Sequence, residues 1–156
     1  MANLQALLEE YGASHGEPVN KLLHAVCVPI IVWAVVALLW SIPFPVATGD
    51  WPVPVNWAML TLVPVMIWYF VLSPRLAVGV ALYLVFMIQL TVVLEHSTPR
   101  PLWQIAAALF VLGWIGQFVG HLVEGKRPSF LTDLRFLLIG PAWLMAGLYR
   151  AAGLKY

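Results

Sequence analysis

One apolar stretch, residues 102–123, reads LWQIAAALFVLGWIGQFVGHLV and contains no Asp, Glu, Lys or Arg. It is long enough for a membrane-spanning helix, because about 20 mostly apolar residues cross the hydrocarbon core. Within and just after it, Trp114, Gln117, His121 and Glu124 fall at i, i+3, i+7 and i+10, on one helical face. Polar and ionisable groups are costly beside lipid and usually face a bundle interior. The stretch therefore predicts a spanning helix whose polar face packs against other helices.

The rest of the chain is built from similar runs. Hydrophobic residues make up 62% of it and charged residues 10%, against about 25% charged residues in soluble domains. Proline-rich or charged segments separate the runs. We therefore predict one all-α domain over residues 1–156, an integral membrane bundle of four to five spans. The predicted spans cover about 22–41, 56–72, 76–95, 102–123 and 135–150.

Two segments are predicted to differ from plain spans. Asn3 to Tyr11 carries leucines at helical spacing, which predicts a short amphipathic helix on the membrane surface. The fifth apolar run, Phe136 to Tyr149, is short for a span and includes Gly140-Pro141. We expect it to be short, kinked or interfacial, and whether it crosses is left open.

The cations indicate an orientation. If the four main runs each cross once, the amino terminus and the segment after His121 share one side of the membrane. That side holds Lys21, Arg75, Lys126, Arg127 and Arg135, while the other holds Arg100 and, if the fifth run crosses, Arg150 and Lys155. The positive-inside rule then favours a cytoplasmic amino terminus. A net charge of +1 gives no basic field for nucleic acid, so the expected partner is the lipid bilayer, and a homo-oligomer is left open.

The chain has four histidines, and each lies at the end of a long apolar run or just before one. They are His15, His24, His96 and His121. Imidazole is the commonest side-chain ligand for transition metals. Span parity places His15, His24 and His121 at one membrane face and His96 at the other, unless one run is re-entrant. The histidines therefore predict a metal site near one face.

Polar residues accompany two of these histidines. Asn20 and His24 share a face of the first span that points inward as the helix enters the membrane. On the fourth span, Gln117 and Glu124 stand one turn before and after His121, which makes each a candidate ligand or partner of a ligand. An interhelical hydrogen-bond cluster is the structural alternative. The Gly116-xxx-Gly120 pair beside this face predicts close approach of another helix.

Other functions fit the same residues. His24 and His121 could act as axial ligands of a haem in an electron-transfer protein. A membrane carrier or structural protein without metal could use the histidines as a proton relay or as polar contacts between helices. Lys126 and Arg127 are expected to anchor the chain at the membrane face, and the sharper alternative is that they bind a substrate carboxylate.

Two motifs stand out in the sequence. The first is Tyr11-x-x-x-His15-x-x-Pro18-x-Asn20-Lys21-x-x-His24-x-x-Cys27-Val28-Pro29, and the second is Trp114-Ile115-Gly116-Gln117-Phe118-x-Gly120-His121-x-x-Glu124-Gly125-Lys126-x-Pro128-Ser129-Phe130. Together they resemble the Mpo1-like proteins, in the bacterial branch of that family. The resemblance spans essentially the whole chain and implies a location in the bacterial inner membrane.

The resemblance implies an iron(II)-dependent dioxygenase that shortens long-chain 2-hydroxy fatty acids by one carbon, with O₂ as co-substrate. It implies iron (Fe²⁺) ligation by His15, His24 and His121, with His96 as a fourth candidate, and makes His24 and His121 the central catalytic residues. A 2-hydroxy acid can chelate iron(II) through its hydroxyl and carboxylate, and non-haem iron enzymes of this type keep open coordination positions. The residues expected around the ligands or the substrate are Asn20, Gln117, Glu124, Lys126 and Arg127.

Overall fold

A computed structural model describes residues 4–13, 16–45, 55–125 and 137–156, and within them the chain is all-helical. The helices are α1 Leu4–Ala13, α2 Pro18–Ser41, α3 Trp57–Leu72, α4 Pro74–Ser97, α5 Leu102–Val123 and α6 Ile139–Ala151. Among the described residues, α2, α4 and α5 are long and apolar enough to cross a membrane. Helix α3 is apolar but has only 16 residues. The prediction of an all-α membrane bundle is confirmed.

Helices α2 and α5 lie against each other in antiparallel orientation because three glycines of α5 leave room for α2. A methyl group added to Gly113 would lie 2.7 Å from the Ile31 side chain, and one added to Gly116 would lie 2.5 Å from Cys27 Sγ. One added to Gly120 would clash with Asn20 in the same way. The close approach predicted from the Gly116-xxx-Gly120 pair is confirmed, and the start of α2 lies beside the end of α5.

Local signals at the helix ends set these boundaries. Asn56 caps α3 by accepting a hydrogen bond from the backbone N–H of Met59 at 3.0 Å, and Ser73 caps α4 through the N–H of Leu76 at 3.3 Å. Gly125 has a φ of +71°, a left-handed conformation that glycine adopts without strain. It ends α5 immediately after Glu124, which leaves that side chain beside the start of α2.

Helix α6 occupies half of the bundle and ends on the face where α4 begins. At its end, the Tyr149 hydroxyl donates to the Arg75 carbonyl at 2.9 Å. Near its start, Pro141 lines the same cavities as Tyr83, which lies near the middle of α4. Helix α6 therefore runs from the middle of the bundle to the end at which α5 ends.

Helix α1 packs on α6. Leu8 is buried in a cluster with Ala142 and Ala146, and Tyr11 contacts Trp143 with ring centres 5.5 Å apart. The predicted amphipathic helix is confirmed, and its buried residues Leu8 and Tyr11 pack against α6.

A second apolar cluster holds the opposite half of the bundle together. It joins α2, α4 and α5 through Trp33, Ala34, Ala37, Met87, Leu102 and Ala106. The small residues among them let the three long helices approach closely on that side. The buried polar residues of α2 and α5 lie at the other end, and they are Asn20, His24, Gln117 and His121.

Candidate metal centre

His24 and His121 meet at the end of the bundle where α2 begins and α5 ends. Their ring centres lie 5.1 Å apart and their planes are nearly perpendicular, at 88°. Both side chains are buried. The glycines of α5 bring the two histidines together, because they have no side chains and α5 can pack directly against the side chains of α2. The structure thus brings together two of the four histidines that the sequence singled out.

Tyr11 contacts this pair from α1. Its hydroxyl lies 3.1 Å from Nδ1 of His24, within hydrogen-bond distance, and both side chains are buried. A metal-binding histidine usually has its second ring nitrogen hydrogen-bonded to a group that orients the ring. Tyr11 is placed to orient His24 in this way, which makes Nε2 the nitrogen through which His24 would bind a metal. The sequence assigned no role to Tyr11, although the tyrosine opens the first motif.

Glu124 joins the end of α5 to the start of α2. Its Oε1 accepts a hydrogen bond from the Gly16 N–H at 2.7 Å, and its Oε2 accepts from the Glu17 N–H at 3.0 Å and from Asn20 Nδ2 at 3.0 Å. Glu17, at the N-cap position of α2, gives no side-chain cap. A carboxylate at a helix amino terminus satisfies unpaired N–H groups and interacts favourably with the helix dipole. Glu124 therefore caps α2 from a neighbouring helix.

Glu124 lies one turn after His121, and its partner Gly16 is next in sequence to His15. Asn20 is fully buried between the two helices, and Gln117 is buried on the same face of α5, one turn before His121. The structure thus places Asn20, Gln117 and Glu124 around the histidine pair, as the helical spacing predicted. His15, Lys126 and Arg127 lie outside the described residues.

His96 lies at the opposite end of the bundle. It is in the last turn of α4, where the neighbouring Glu95 accepts a hydrogen bond from Trp40 Nε1 near the end of α2 at 3.1 Å. His96 is exposed, and its Nδ1 lies 2.8 Å from the Val92 carbonyl of its own helix. Since His24 and Trp40 are 16 positions apart, about 24 Å separates their levels along α2. The structure does not bring His96 to the other histidines, in agreement with the span parity.

The described part of the site offers two metal-binding side chains. Within the described residues, no group of three or more His, Cys, Asp and Glu side chains could by itself hold a metal ion. Two imidazoles at adjacent positions of one ion, with metal–nitrogen bonds of about 2 Å, have ring centres on the order of 5 Å apart. The 5.1 Å between His24 and His121 fits that arrangement.

The same geometry fits a haem poorly. Two axial imidazoles lie on opposite sides of the porphyrin, with their ring centres about 6 Å apart and the macrocycle between them. The rings of His24 and His121 are in edge-to-face contact, so no gap for a porphyrin plane separates them.

These features define a helical membrane protein with a buried histidine pair at one end of its bundle. The chain belongs to the Mpo1-like family, whose model, described as 2-hydroxy-palmitic acid dioxygenase Mpo1-like, matches residues 1–152. It is also similar to the 2-hydroxy-palmitic acid dioxygenase MPO1 of Saccharomyces cerevisiae (strain ATCC 204508 / S288c), with 26% identity over 147 residues that cover 93% of this chain and 79% of the yeast protein. No solved structure matches the chain. The family resemblance is confirmed, and its bacterial branch stays a prediction.

Proposed function

We propose that this protein is an iron(II)-dependent dioxygenase that shortens long-chain 2-hydroxy fatty acids by one carbon at the membrane interface. The observation that supports it most directly is the buried pair of His24 and His121 on two glycine-packed helices, at the spacing of neighbouring metal ligands. The name of the yeast relative points to the substrate class.

Each residue of the site has a role in this proposal. His24 and His121 hold the ion, and His15 is the third candidate ligand, because its neighbour Gly16 is bound to Glu124 one turn from His121. Bound iron(II) would supply the redox chemistry that lets O₂ react with a chelating 2-hydroxy acid. Tyr11 orients the His24 ring through Nδ1, and Glu124 fixes the two helix ends relative to each other. His96 has no role in the proposed site.

The reaction balances with O₂ as the sole oxidant. The bond between carbons 1 and 2 of the hydroxy acid breaks, carbon 2 becomes the carboxyl carbon of the shorter acid, and carbon 1 leaves as CO₂. Both carbons are oxidised, by four electrons in total, and these reduce the O₂ molecule. One of its oxygen atoms is needed in the carbon products and the other leaves in water.

The proposal is tested by metal analysis and product analysis of the same preparation. The protein is extracted without oxygen in a mild detergent, given iron(II), and freed of unbound metal. We expect stoichiometric iron, no haem absorbance, O₂ consumption with a long-chain 2-hydroxy acid, and the acid one carbon shorter by mass spectrometry. The corresponding 3-hydroxy acid should not react, because its hydroxyl is displaced from the chelating position. Equal turnover of both acids, or of neither with iron bound, would remove the proposed reaction.

The histidines give the sharpest variants. His24→Ala and His121→Ala should each abolish iron retention without preventing membrane insertion, because each removes a ligand. His96→Ala is the matched control and should keep both iron and activity, since His96 lies at the other end of the bundle. Full iron content in both site variants would place the metal elsewhere.

A further inference from the structure

Two neighbouring apolar cavities extend from the histidine end of the bundle toward its middle and beyond. The proximal cavity, of about 240 Å³, is lined mainly by α2 and α6, including Ala25, Val28, Leu144, Met145 and Leu148. The distal cavity, of about 180 Å³, lies between α2, α3 and α4, and its lining includes Val32, Val36, Leu39, Ala58, Leu62 and Leu84. Tyr83 and Pro141 line both cavities, so the two spaces adjoin at these residues.

The proximal cavity begins beside the candidate metal centre. Val28 follows His24 by one helical turn and lines this cavity. Gly140 lies between Val28 and Tyr11, because a methyl group added to it would be 3.1 Å from Val28 and 3.3 Å from the Tyr11 hydroxyl. That hydroxyl is hydrogen-bonded to His24. Val28, at the wall of the proximal cavity, is therefore one helical turn from His24, and Gly140 and the Tyr11 hydroxyl lie beside this turn.

The walls of both cavities are suited to hydrocarbon. The two phenol hydroxyls at the walls are engaged, since Tyr69 donates to the Leu138 carbonyl and Tyr83 donates to the Pro29 carbonyl at 3.4 Å. The remaining lining is apolar except for Thr61. Apolar cavities of this kind do not retain ordered water and readily accept apolar guests.

The two cavities together are long enough for one acyl chain. From Ala25 to Leu39 the cavity-lining residues of α2 extend over 14 positions, about 21 Å at the helical rise. One leaflet of acyl chains occupies about 15 Å, half of the hydrocarbon core. A head group at His24 would thus leave a long tail beside Leu39 and Ala58 at its far end.

We propose that the hydrocarbon tail of the 2-hydroxy acid occupies these two cavities and that the distal cavity sets the preferred chain length. The proposal rests on the proposed function for the identity of the head group. The tail enters from the lipid phase, so its burial in the cavities contributes little hydrophobic free energy. The preference for one chain length therefore comes from how well the tail fits the distal cavity. In an apolar pocket one extra or missing methylene changes the reaction rate by about 10- to 200-fold.

Two substitutions at the far end should shift the preference in opposite directions. Ala58→Leu fills the end of the distal cavity and should lower the kcat/KM ratio of a long to a shorter 2-hydroxy acid by about tenfold or more. Leu39→Ala lengthens the cavity and should raise the same ratio for acids a few carbons longer. Leu60→Phe is the matched control, since Leu60 is on α3 and is exposed, and it should leave the ratio unchanged. All acids are compared at equal mole fraction in the membrane phase.

Photo-crosslinking locates the tail independently of turnover. A long-chain fatty acid without the hydroxyl, carrying a photoreactive group at its methyl end, should label peptides around Leu39 and Ala58, and a 2-hydroxy acid should compete. A phospholipid with the same group on its acyl chain should not label them once the hydroxy acid is present.

These outcomes separate the two proposals. If the unchanged protein does not oxidise 2-hydroxy acids, the proposed function fails whatever the tail labels. If it oxidises them while Ala58→Leu and Leu39→Ala have the same kcat/KM ratio as Leu60→Phe, the tail does not lie in the cavities. The same conclusion follows if the phospholipid probe still labels the cavity in the presence of the hydroxy acid.

Discussion

Tyr11 is the residue through which α1 contacts the candidate metal centre. Its hydroxyl contacts His24 Nδ1, so Tyr11→Phe removes the oriented partner while preserving the ring that packs on Trp143. Loss of such a partner typically lowers metal affinity or activity by about 10- to 100-fold, and we expect this range in an iron(II) titration. Tyr149→Phe is the control, because its hydroxyl serves the Arg75 carbonyl. Equal iron affinity in the two variants would argue against an orienting role for Tyr11.

Glu124 acts on the helix ends. Glu124→Gln loses the charge that faces the amino terminus of α2 and replaces one of two acceptor oxygens, both of which are used. We expect weaker iron binding, by about tenfold or more, together with a lower melting temperature. Glu95→Gln, at the opposite end, should change neither quantity. A Glu124 variant that loses stability but binds iron normally would show a purely structural cap.

At the scale of single residues, the sequence predicted which candidate site residues share a face of one helix. Asn20 with His24, and Gln117 with His121 and Glu124, follow from helical periodicity, which fixes the face on which a residue lies. Tyr11 could not be predicted, because its contact depends on how α1 packs on α6. Glu124 was predicted as a neighbour of the site. Two of its hydrogen bonds come from the backbone N–H groups of Gly16 and Glu17, which carry no sequence signal.

The pair of α2 and α5 is the element on which the site depends. Gly116→Ala would place a methyl group 2.5 Å from Cys27 Sγ, and Cys27 is buried. We expect the free energy of unfolding to fall by about 1–3 kcal/mol, the usual cost of overpacking, and iron retention to fall with it as the histidines move apart.

The control is a glycine of α6. Gly147 has no neighbouring atom within 4 Å of an added methyl group, so Gly147→Ala should retain stability and iron. Thermal unfolding in detergent measures the first property and metal analysis the second. If Gly116→Ala behaves like Gly147→Ala, close approach of α2 and α5 is not required.

Glycine spacing predicted this contact because small residues at four-residue intervals have one main use between membrane helices. The course of α6 was harder to predict. A short apolar run with Gly140-Pro141 is compatible with a short span, a kink or an interfacial helix, and composition does not distinguish them. The course of α6 depends on contacts far apart in sequence, such as that of Tyr149 with Arg75.

At the scale of the whole molecule, the course of α6 changes the charge count. Among the described residues, Lys21, Arg75, Arg150 and Lys155 lie at the end where α2 begins, because α6 returns there, while Arg100 lies at the other end. The sequence had left Arg150 and Lys155 to either side. This asymmetry of charge predicts an orientation with the histidine end in the cytoplasm. The cytoplasm is a reducing environment in which thiols are kept reduced.

Labelling of single cysteines tests this orientation. In a Cys27→Ala background, Ser97→Cys marks the exposed end of α4 and Lys155→Cys marks the face on which α6 ends. In intact spheroplasts of a bacterial host, a membrane-impermeant maleimide should label Ser97→Cys and should reach Lys155→Cys only after permeabilisation. The reverse pattern would invert the protein in the membrane and place the histidine pair outside the cytoplasm. Helix α5 crosses the membrane between these two positions, and α6 ends on the face where α5 ends, so the two cysteines should lie on opposite sides. Labelling of both from the same side would contradict this course of α6.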